Sequence, residues 1–265
     1  HPPFMIPEPY YSMYDPADVP KPPNFGPQHG EPEVNRTSYY RQLFLDNGED
    51  FDAWRKSYAD YWGFTPLIDD QLGRILAELE AQDLMEETII VYLSDHGENL
   101  GAHGLWHKMV AYEESIRVPL IIRLPNVASS GLRSGAPVSL IDGAPTLAAL
   151  CGLPIHAAWR GVNLASALEG GDGPPSDRPL FAIPRPLGDW MHTQPWRLLE
   201  VDRLKYVWHD GDTAELLDLH ADPFERRNLA EDPKWDADRA RLHAHLVGIM
   251  RELDDPLVHV AAVSI

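Results

Sequence analysis

An uninterrupted apolar run that ends in an Asp-His pair constrains the fold of this chain most. Residues 88–93 are all apolar, aromatic or β-branched and include no Pro or Gly, which predicts a buried strand, parallel to its neighbours and covered on both faces. Asp95 and His96 follow the run after a single residue, Ser94. Ligand crevices of open α/β sheets form just beyond the carboxyl ends of strands. The pair is therefore a candidate metal site, because carboxylate and imidazole both bind metal ions.

A Gly-rich turn and a second apolar run follow the pair. The turn, residues 101–108, reads Gly-Ala-His-Gly-Leu-Trp-His-Lys and places Lys108 thirteen positions after Asp95. Residues 118–124 predict a second buried strand that closes the unit. Lys108 can neutralise an oxygen of an anionic ligand as a point charge.

These residues resemble the sulfatase family of the alkaline phosphatase superfamily. Sulfatases carry S-D-H-G or S-D-N-G after a core strand, then G-x-H-G-x-W-x-K, then R-V-P-L-I, which here are residues 94–97, 101–108 and 117–121. The resemblance implies an α/β fold with an alkaline-phosphatase-like sheet, helices on both faces, and a small C-terminal antiparallel sheet packed with a helix. It also implies that Asp95 and His96 are metal ligands.

The resemblance assigns roles to three further side chains. Lys108 is expected to contact the substrate and to act in catalysis. His1 opens an H-x-P-F segment whose histidine contacts the sulfate group in sulfatases, so it is expected to have both roles as well. His103 is a candidate substrate-binding residue; support of the site and simple packing remain open alternatives.

Other parts of the chain keep register with the family. Residues 51–84 predict a helix with one apolar stripe, and residues 68–76 repeat a sulfatase helix motif. Asp142 is a candidate N-cap of a following helix. Cys151 ends an apolar helix, which predicts a buried structural thiol.

The predicted domain organisation has two parts. Residues 170–179, rich in Gly and Pro, form the clearest linker. We expect residues 1–170 to be the C-terminal part of the sulfatase catalytic α/β domain and residues 171–265 to be a small α+β subdomain. Within the latter we predict strands at 179–183, 196–201, 205–208 and 215–218 and a helix at 235–253.

Composition excludes two classes of partner. The net charge of −19 leaves no basic stripe for nucleic acid phosphates. No apolar run reaches the roughly 18 residues that span a bilayer. Against this acidic background an anionic ester needs a locally positive site, made of a metal ion with a few Lys and His.

The family's nucleophile motif, C/S-x-P/A-x-R, and its strand-borne Asp-Asp pair do not occur in the chain. The chain is therefore interpreted as a carboxyl-terminal portion, with the formylglycine nucleophile expected in the missing amino-terminal part. The resemblance favours Ca²⁺ as the metal, and a histidine ligand leaves Mn²⁺ or Zn²⁺ open.

Three functional hypotheses follow. The first is a sulfatase that hydrolyses a small-molecule or saccharide sulfate ester to alcohol and sulfate. The second is a phosphonate monoester hydrolase or phosphodiesterase of the same superfamily. The third is a non-catalytic remnant or partner module. The isolated chain is expected to be inactive; compartment, oligomeric state and the alcohol portion of the substrate are not indicated.

Overall fold

The computed structural model describes residues 2–125, 131–184 and 195–263. His1 lies outside these ranges. The strands are β1 Ile90–Leu93, β2 Leu120–Arg123, β3 Leu180–Ala182, β4 Trp196–Val201, β5 Leu204–His209 and β6 Glu215–Asp218. The α-helices are α1 Glu33–Thr37, α2 Tyr39–Asn47, α3 Arg55–Ala81, α4 Glu113–Ile116, α5 Gly143–Leu150, α6 Ala165–Leu168, α7 Asp236–Glu252 and α8 Val258–Ala261. None of these helices is both long and apolar enough to cross a membrane.

The strands form two separate sheets. β1 and β2 make a two-stranded antiparallel ribbon in which Leu93 pairs with Leu120. β3 to β6 make a four-stranded antiparallel meander in chain order. Its tightest hairpin pairs Val201 with Leu204. The predicted C-terminal antiparallel sheet is thus confirmed, and β4 and β6 have the predicted bounds.

The prediction of a parallel, fully covered first strand is wrong for the described residues. β1 runs antiparallel to β2, and no residue of β1 is fully buried. Leu93 is 46% exposed and Ile121 in β2 is 63% exposed. The apolar run specifies a strand that suits burial on both faces, but it contains no information on the direction of the neighbouring strand.

The predicted amphipathic helix is present as α3, but its apolar stripe has few partners. α3 buries Tyr58, Ala59 and Gly63, all near its amino-terminal end. Farther along, Ile68 and Ile75 are exposed. The periodicity correctly predicts the helix; the surface that would cover the stripe is not among the described residues.

Of the four hydrophobic clusters in the described ranges, the two with the most buried residues form a carboxyl-terminal and an amino-terminal core. The carboxyl-terminal core packs the meander against α7, so the predicted sheet-and-helix packing is confirmed; its fully buried side chains include Leu199, Leu216, Leu242, Leu246 and Met250. The amino-terminal core is aromatic and includes Phe25, Phe44, Phe51, Trp54 and Tyr58. This second core organises a stretch whose sequence is aperiodic, so α1 and α2 were not predicted.

A buried ion-pair network joins β5 to the segment before β2. The Lys205 side chain is 0% exposed, and its Nζ donates to Glu113 Oε1 at 2.7 Å and Glu225 Oε1 at 2.6 Å. It also donates to the carbonyl of Ala111 at 3.1 Å. Burial opposes the charge on Lys205, but the two carboxylates outweigh it and raise the pKa of the ammonium.

Two local predictions differ from the structure. Cys151 is exposed, not buried: it lies one residue beyond the end of α5, whose buried residues are Pro145, Thr146 and Ala148. Asp142 makes no side-chain cap for α5. Instead its fully buried carboxylate receives two hydrogen bonds from Arg178, at 2.6 and 2.8 Å, and one from the Val162 amide.

Candidate metal and substrate site

The Asp95-His96 pair lies at the end of β1, where the strand leaves the ribbon. The Asp95 Oδ1 atom accepts from the His96 amide at 3.0 Å, and the Ser94 hydroxyl donates to the His96 carbonyl at 2.9 Å. These bonds fix the backbone of the pair. Asp95 Oδ2 remains directed outward, in a side chain that is 85% exposed.

The hydrogen bonding of His96 selects the ring nitrogen that is available to a ligand. Nδ1 lies 2.9 Å from the Gly97 carbonyl oxygen, which can only accept, so Nδ1 carries the proton. In the neutral ring Nε2 then keeps its lone pair. Nε2 lies 3.5 Å from Asp95 Oδ2, so the two donor atoms converge on one point. A hydrogen bond from the distal nitrogen to a carbonyl is the usual support of a metal-binding histidine.

Gly97 makes this turn possible. A Cβ built at Gly97 would lie 2.0 Å from the Glu114 carbonyl oxygen, far inside contact distance. The Gly97 amide donates to the Ser115 carbonyl at 2.8 Å. The loop after β1 is therefore pressed directly against the backbone of α4.

The pair fits a divalent cation in chemistry but supplies only two ligands. Zn²⁺ needs about four ligands and Ca²⁺ about six to eight oxygens. In the described ranges, no third Asp, Glu, His or Cys joins Asp95 and His96 in a metal-sized group. The two residues can hold one side of a metal ion.

Residues 99–108, which we name the lysine turn, have an unusual backbone. Leu100, His103 and His107 have φ values of 47°, 55° and 70°, a region that side chains other than glycine rarely adopt. Such a strained backbone is kept only where contacts with surrounding residues fix its conformation, and strained residues of this kind cluster at functional sites.

The Lys108 ammonium, at the end of this turn, is buried without a hydrogen-bond partner among the described residues. Burial lowers its pKa, while Glu98 and Asp95 act in the opposite direction by charge. A buried ammonium without a hydrogen-bond partner is costly, and a negative charge beside it would offset that cost. The structure therefore places Lys108 where a negatively charged group would be stabilised.

Glu98 is a site residue that the sequence analysis did not identify. Burial raises the pKa of its carboxyl group, and the charge of Lys108 opposes this. Its Oε1 atom is also buried without a partner. The signal that could have identified it is its position directly after Gly97, within the Asp-His loop.

His107 is neutral near pH 7. Burial, then the neighbouring charge of Lys108, lowers the pKa of its imidazole to about 4. The carbonyl of His107 accepts from both the backbone and the side chain of Asn99, at 2.8 and 2.5 Å. These two bonds close the lysine turn at its base.

His103 contacts protein on all sides. It is 1% exposed, and its ring stacks on Tyr112 at 3.7 Å between centroids. Its Nε2 lies 3.1 Å from Asn24 Nδ2 and 3.4 Å from Glu114 Oε2. The assignment of His103 to substrate binding stays a prediction, with support of the site and simple packing as its alternatives.

A second His-carboxylate group forms around this ring. Donor atoms of His103, Glu114 and Glu225 lie within 4.8 Å of one another. Protein donors already bind both carboxylates of this group. Asn24 Nδ2 donates to Glu114 Oε1 at 2.6 Å, and Lys205 Nζ donates to Glu225 Oε1 at 2.6 Å. These hydrogen bonds join the three side chains to Asn24 and Lys205 in one network.

Comparison with known proteins gives the class to which this fold and site belong. The sulfatase family profile matches residues 5–153, more than half of the chain, and the profile of the N-sulphoglucosamine sulphohydrolase C-terminal region matches residues 101–252. The fold is the α/β fold of sulfatases and alkaline-phosphatase-like proteins. The chain belongs to the sulfatase family.

Individual relatives extend the similarity over nearly the whole chain. A choline-sulfatase of Rhizobium meliloti is 30% identical and covers 92% of this chain. A multifunctional alkaline phosphatase superfamily protein, PehA, of Trinickia caryophylli is 32% identical and covers 89%. The solved phosphonate monoester hydrolase of Agrobacterium radiobacter superposes with a TM-score of 0.80 at 27% identity, over 95% of this chain and 55% of its own.

The chain spans about half the length of the curated relatives that it matches, 47% of the choline-sulfatase and 51% of PehA. This agrees with the interpretation of the chain as a carboxyl-terminal portion of the family fold that lacks the formylglycine motif.

Proposed function

We propose that this chain supplies one half of the active site of a divalent-metal-dependent sulfatase. The observation that carries the proposal is the convergence of Asp95 Oδ2 and His96 Nε2, 3.5 Å apart, with Nδ1 already engaged. In this proposal both atoms are metal ligands. The remaining ligands and the formylglycine nucleophile come from sequence outside the described residues.

The residues of this chain would have distinct roles in the reaction. When bound, a divalent metal polarises an oxygen of the sulfuryl group and lowers the nucleophile's pKa. Lys108 would neutralise a non-bridging or leaving-group oxygen, which its buried, unpartnered ammonium suits. His1, which lies outside the described residues, would donate a hydrogen bond or proton to the same group.

The choice of metal follows from the donor types. A carboxylate is a hard oxygen ligand that suits Ca²⁺, and the family resemblance favours that ion. The imidazole also suits Mn²⁺ or Zn²⁺. We propose Ca²⁺ first, with the other two as the ions to compare.

The proposed substrate is a small-molecule or saccharide sulfate ester. Support comes from the names of the relatives, which include a choline-sulfatase, an ulvan-active sulfatase and an N-acetylglucosamine-6-O-sulfatase. A phosphonate monoester is the second candidate, supported by two solved phosphonate monoester hydrolases with TM-scores of 0.79 and 0.80. In both cases residues 1–170 would contribute the catalytic portion and residues 171–265 the supporting subdomain.

The test is hydrolysis of an aryl sulfate and an aryl phosphonate monoester, side by side, by the full gene product that includes these 265 residues. Faster turnover of the sulfate ester would support the proposal. Replacing Lys108 by Met should lower kcat/KM about 10²–10³-fold, the typical loss of one charge-stabilising group. The exposed Lys234 replaced by Met is the matched control. Hydrolysis of neither ester, or full activity of the Lys108 variant, would contradict the assignment and favour a non-catalytic module.

A further inference from the structure

We propose that Arg41 is a positioning residue, which fixes the lysine turn through its backbone and so determines where the Lys108 ammonium lies. The relevance of this position to catalysis rests on the function proposed above. Arg41 belongs to α2, in the aperiodic part of the sequence, and is more than sixty positions away from Lys108.

The guanidinium of Arg41 reaches the centre of the lysine turn. Its Nε donates to the Gly104 carbonyl at 2.6 Å, and its Nη2 donates to the His103 carbonyl at 3.0 Å. The same Nη2 binds Glu31 Oε2 at 2.5 Å. The side chains of Arg41 and Glu31 are only 9% and 7% exposed, so the pair is held inside the protein. A planar guanidinium presents its donors on separate nitrogens in a fixed fork, so Nε and Nη2 bind the two carbonyls while Nη2 also binds Glu31. A lysine would have to reach all three acceptors from one nitrogen.

The turn requires external support of this kind because its own conformation is strained. His103 lies in the left-handed region, and a Cβ added to Gly104 would contact Pro27 at 2.8 Å. Arg41 binds the carbonyls of these two residues. It thus holds the turn at the point where the backbone is least favourable.

Backbone bonds from the same part of the chain complete the support. We name residues 24–41 the supporting segment. The His103 amide donates to the Asn24 carbonyl at 2.8 Å, Gly26 donates to the Gly101 carbonyl at 2.8 Å, and Trp106 donates to the Tyr40 carbonyl at 3.1 Å. Arg41 provides the only side-chain charge among these contacts of the supporting segment with the turn backbone.

Two roles for Arg41 make different predictions. If it only neutralises Glu31, a lysine at this position keeps the charge and leaves the turn unchanged. If its two carbonyl bonds fix the turn, a lysine loses the planar geometry and the turn loosens. The conservative variant Arg41→Lys therefore separates the roles.

The readout is the acylation rate of each lysine in this chain by a water-soluble acetylating ester, resolved by mass spectrometry. The Lys108 ammonium is buried in the structure and should react slowly. In Arg41→Lys we expect Lys108 to react at least tenfold faster, while the exposed Lys234 keeps its rate. Glu31→Gln, which leaves Arg41 without its carboxylate partner, should change Lys108 in the same direction by less.

Arg55→Lys is the matched control. Arg55 also binds a carboxylate, Asp52, and donates to two backbone carbonyls, Ala17 and Val19, but none of these belongs to the lysine turn. A general loss of stability would speed the labelling of all lysines in both variants. The proposal is overturned if Lys108 in Arg41→Lys stays within twofold of the unmodified chain, or if every lysine accelerates equally. Because the labelling rate of Lys108 is measured without any enzymatic turnover, its result does not depend on whether the sulfatase assignment is correct.

Discussion

Replacement of Lys205 by Met tests whether the buried ion-pair network stabilises the chain. Met has nearly the same length and an apolar end, so the change removes the charge with little change in volume. The variant loses three hydrogen bonds from Nζ, to Ala111, Glu113 and Glu225. It leaves the Glu225 carboxylate, in a side chain only 1% exposed, without its cation.

The magnitude follows from this geometry. Removing one partner of a buried ion pair costs about 3–5 kcal/mol, because the remaining carboxyl is desolvated without its cation. Among the described residues Glu225 then keeps only the hydrogen bond from the Glu113 amide, and burial already raises its pKa to about 7. With a urea dependence of about 3 kcal/mol/M, the unfolding midpoint should fall by about 1–2 M. Tryptophan fluorescence can follow the transition, since the chain has eight Trp residues. Lys234→Met, at an exposed position, should remain within about 0.5 kcal/mol of the unmodified chain.

A double variant supplies the stricter test. If Glu225→Gln is added, no unpaired carboxylate remains at that position, and part of the lost stability should return. We expect a coupling free energy of about 2 kcal/mol between the two positions. A cost below about 1 kcal/mol for Lys205→Met, or additive effects of the two changes, would refute the reasoning that the network is a stabilising unit.

Two further predictions concern the site itself. Gly97→Ala should weaken Ca²⁺ binding to the full gene product more than tenfold by calorimetry, because the added Cβ would lie 2.0 Å from the Glu114 carbonyl oxygen and must move the Asp95-His96 loop. Gly73→Ala, with nothing within 4 Å of its added Cβ, is the control, and equal affinity in both variants would contradict the assignment. The pKa of His107, about 4 in the folded chain against about 6.5 unfolded, means that the unfolded chain binds the proton first. Stability should therefore be unaffected above about pH 6.5 and fall by about 1–2 kcal/mol as the pH drops towards 4, allowing for solvent screening. His107→Gln should abolish that part of the pH dependence of urea unfolding, whereas a variant with the same acid sensitivity would show that another group is responsible.

The sequence predicts local structure well where one segment determines it. The alternating and apolar runs of β4 and β6 give the observed bounds, and α7 begins and ends within one residue of the prediction. The Asp95-His96 pair lies at the end of a strand, as its position after an apolar run indicates.

What the sequence does not predict depends on contacts between distant segments. The direction of β1 relative to β2, the exposed stripe of α3 and the aromatic core around Trp54 are set by packing partners and not by local periodicity. The same holds for Arg41 and Asn24, which reach the lysine turn from more than sixty positions away and belong to no motif. The assignments of His1, Lys108, His103, Asp95 and His96 to catalysis, substrate binding and metal binding, and the division at residue 170, stay predictions.

The β1–β2 ribbon has a consequence for the colloidal behaviour of this chain. Among the described residues each of its strands pairs on one side only, and both carry exposed apolar side chains, a surface that can pair with the same ribbon of another molecule. The net charge of −19 opposes that association by repulsion between molecules. At an ionic strength of about 0.1 M, charges more than about 10 Å apart are largely screened from each other. Added salt should therefore promote self-association, which light scattering as a function of salt concentration measures. Scattering that stays constant would show that the ribbon does not pair with the ribbon of another molecule.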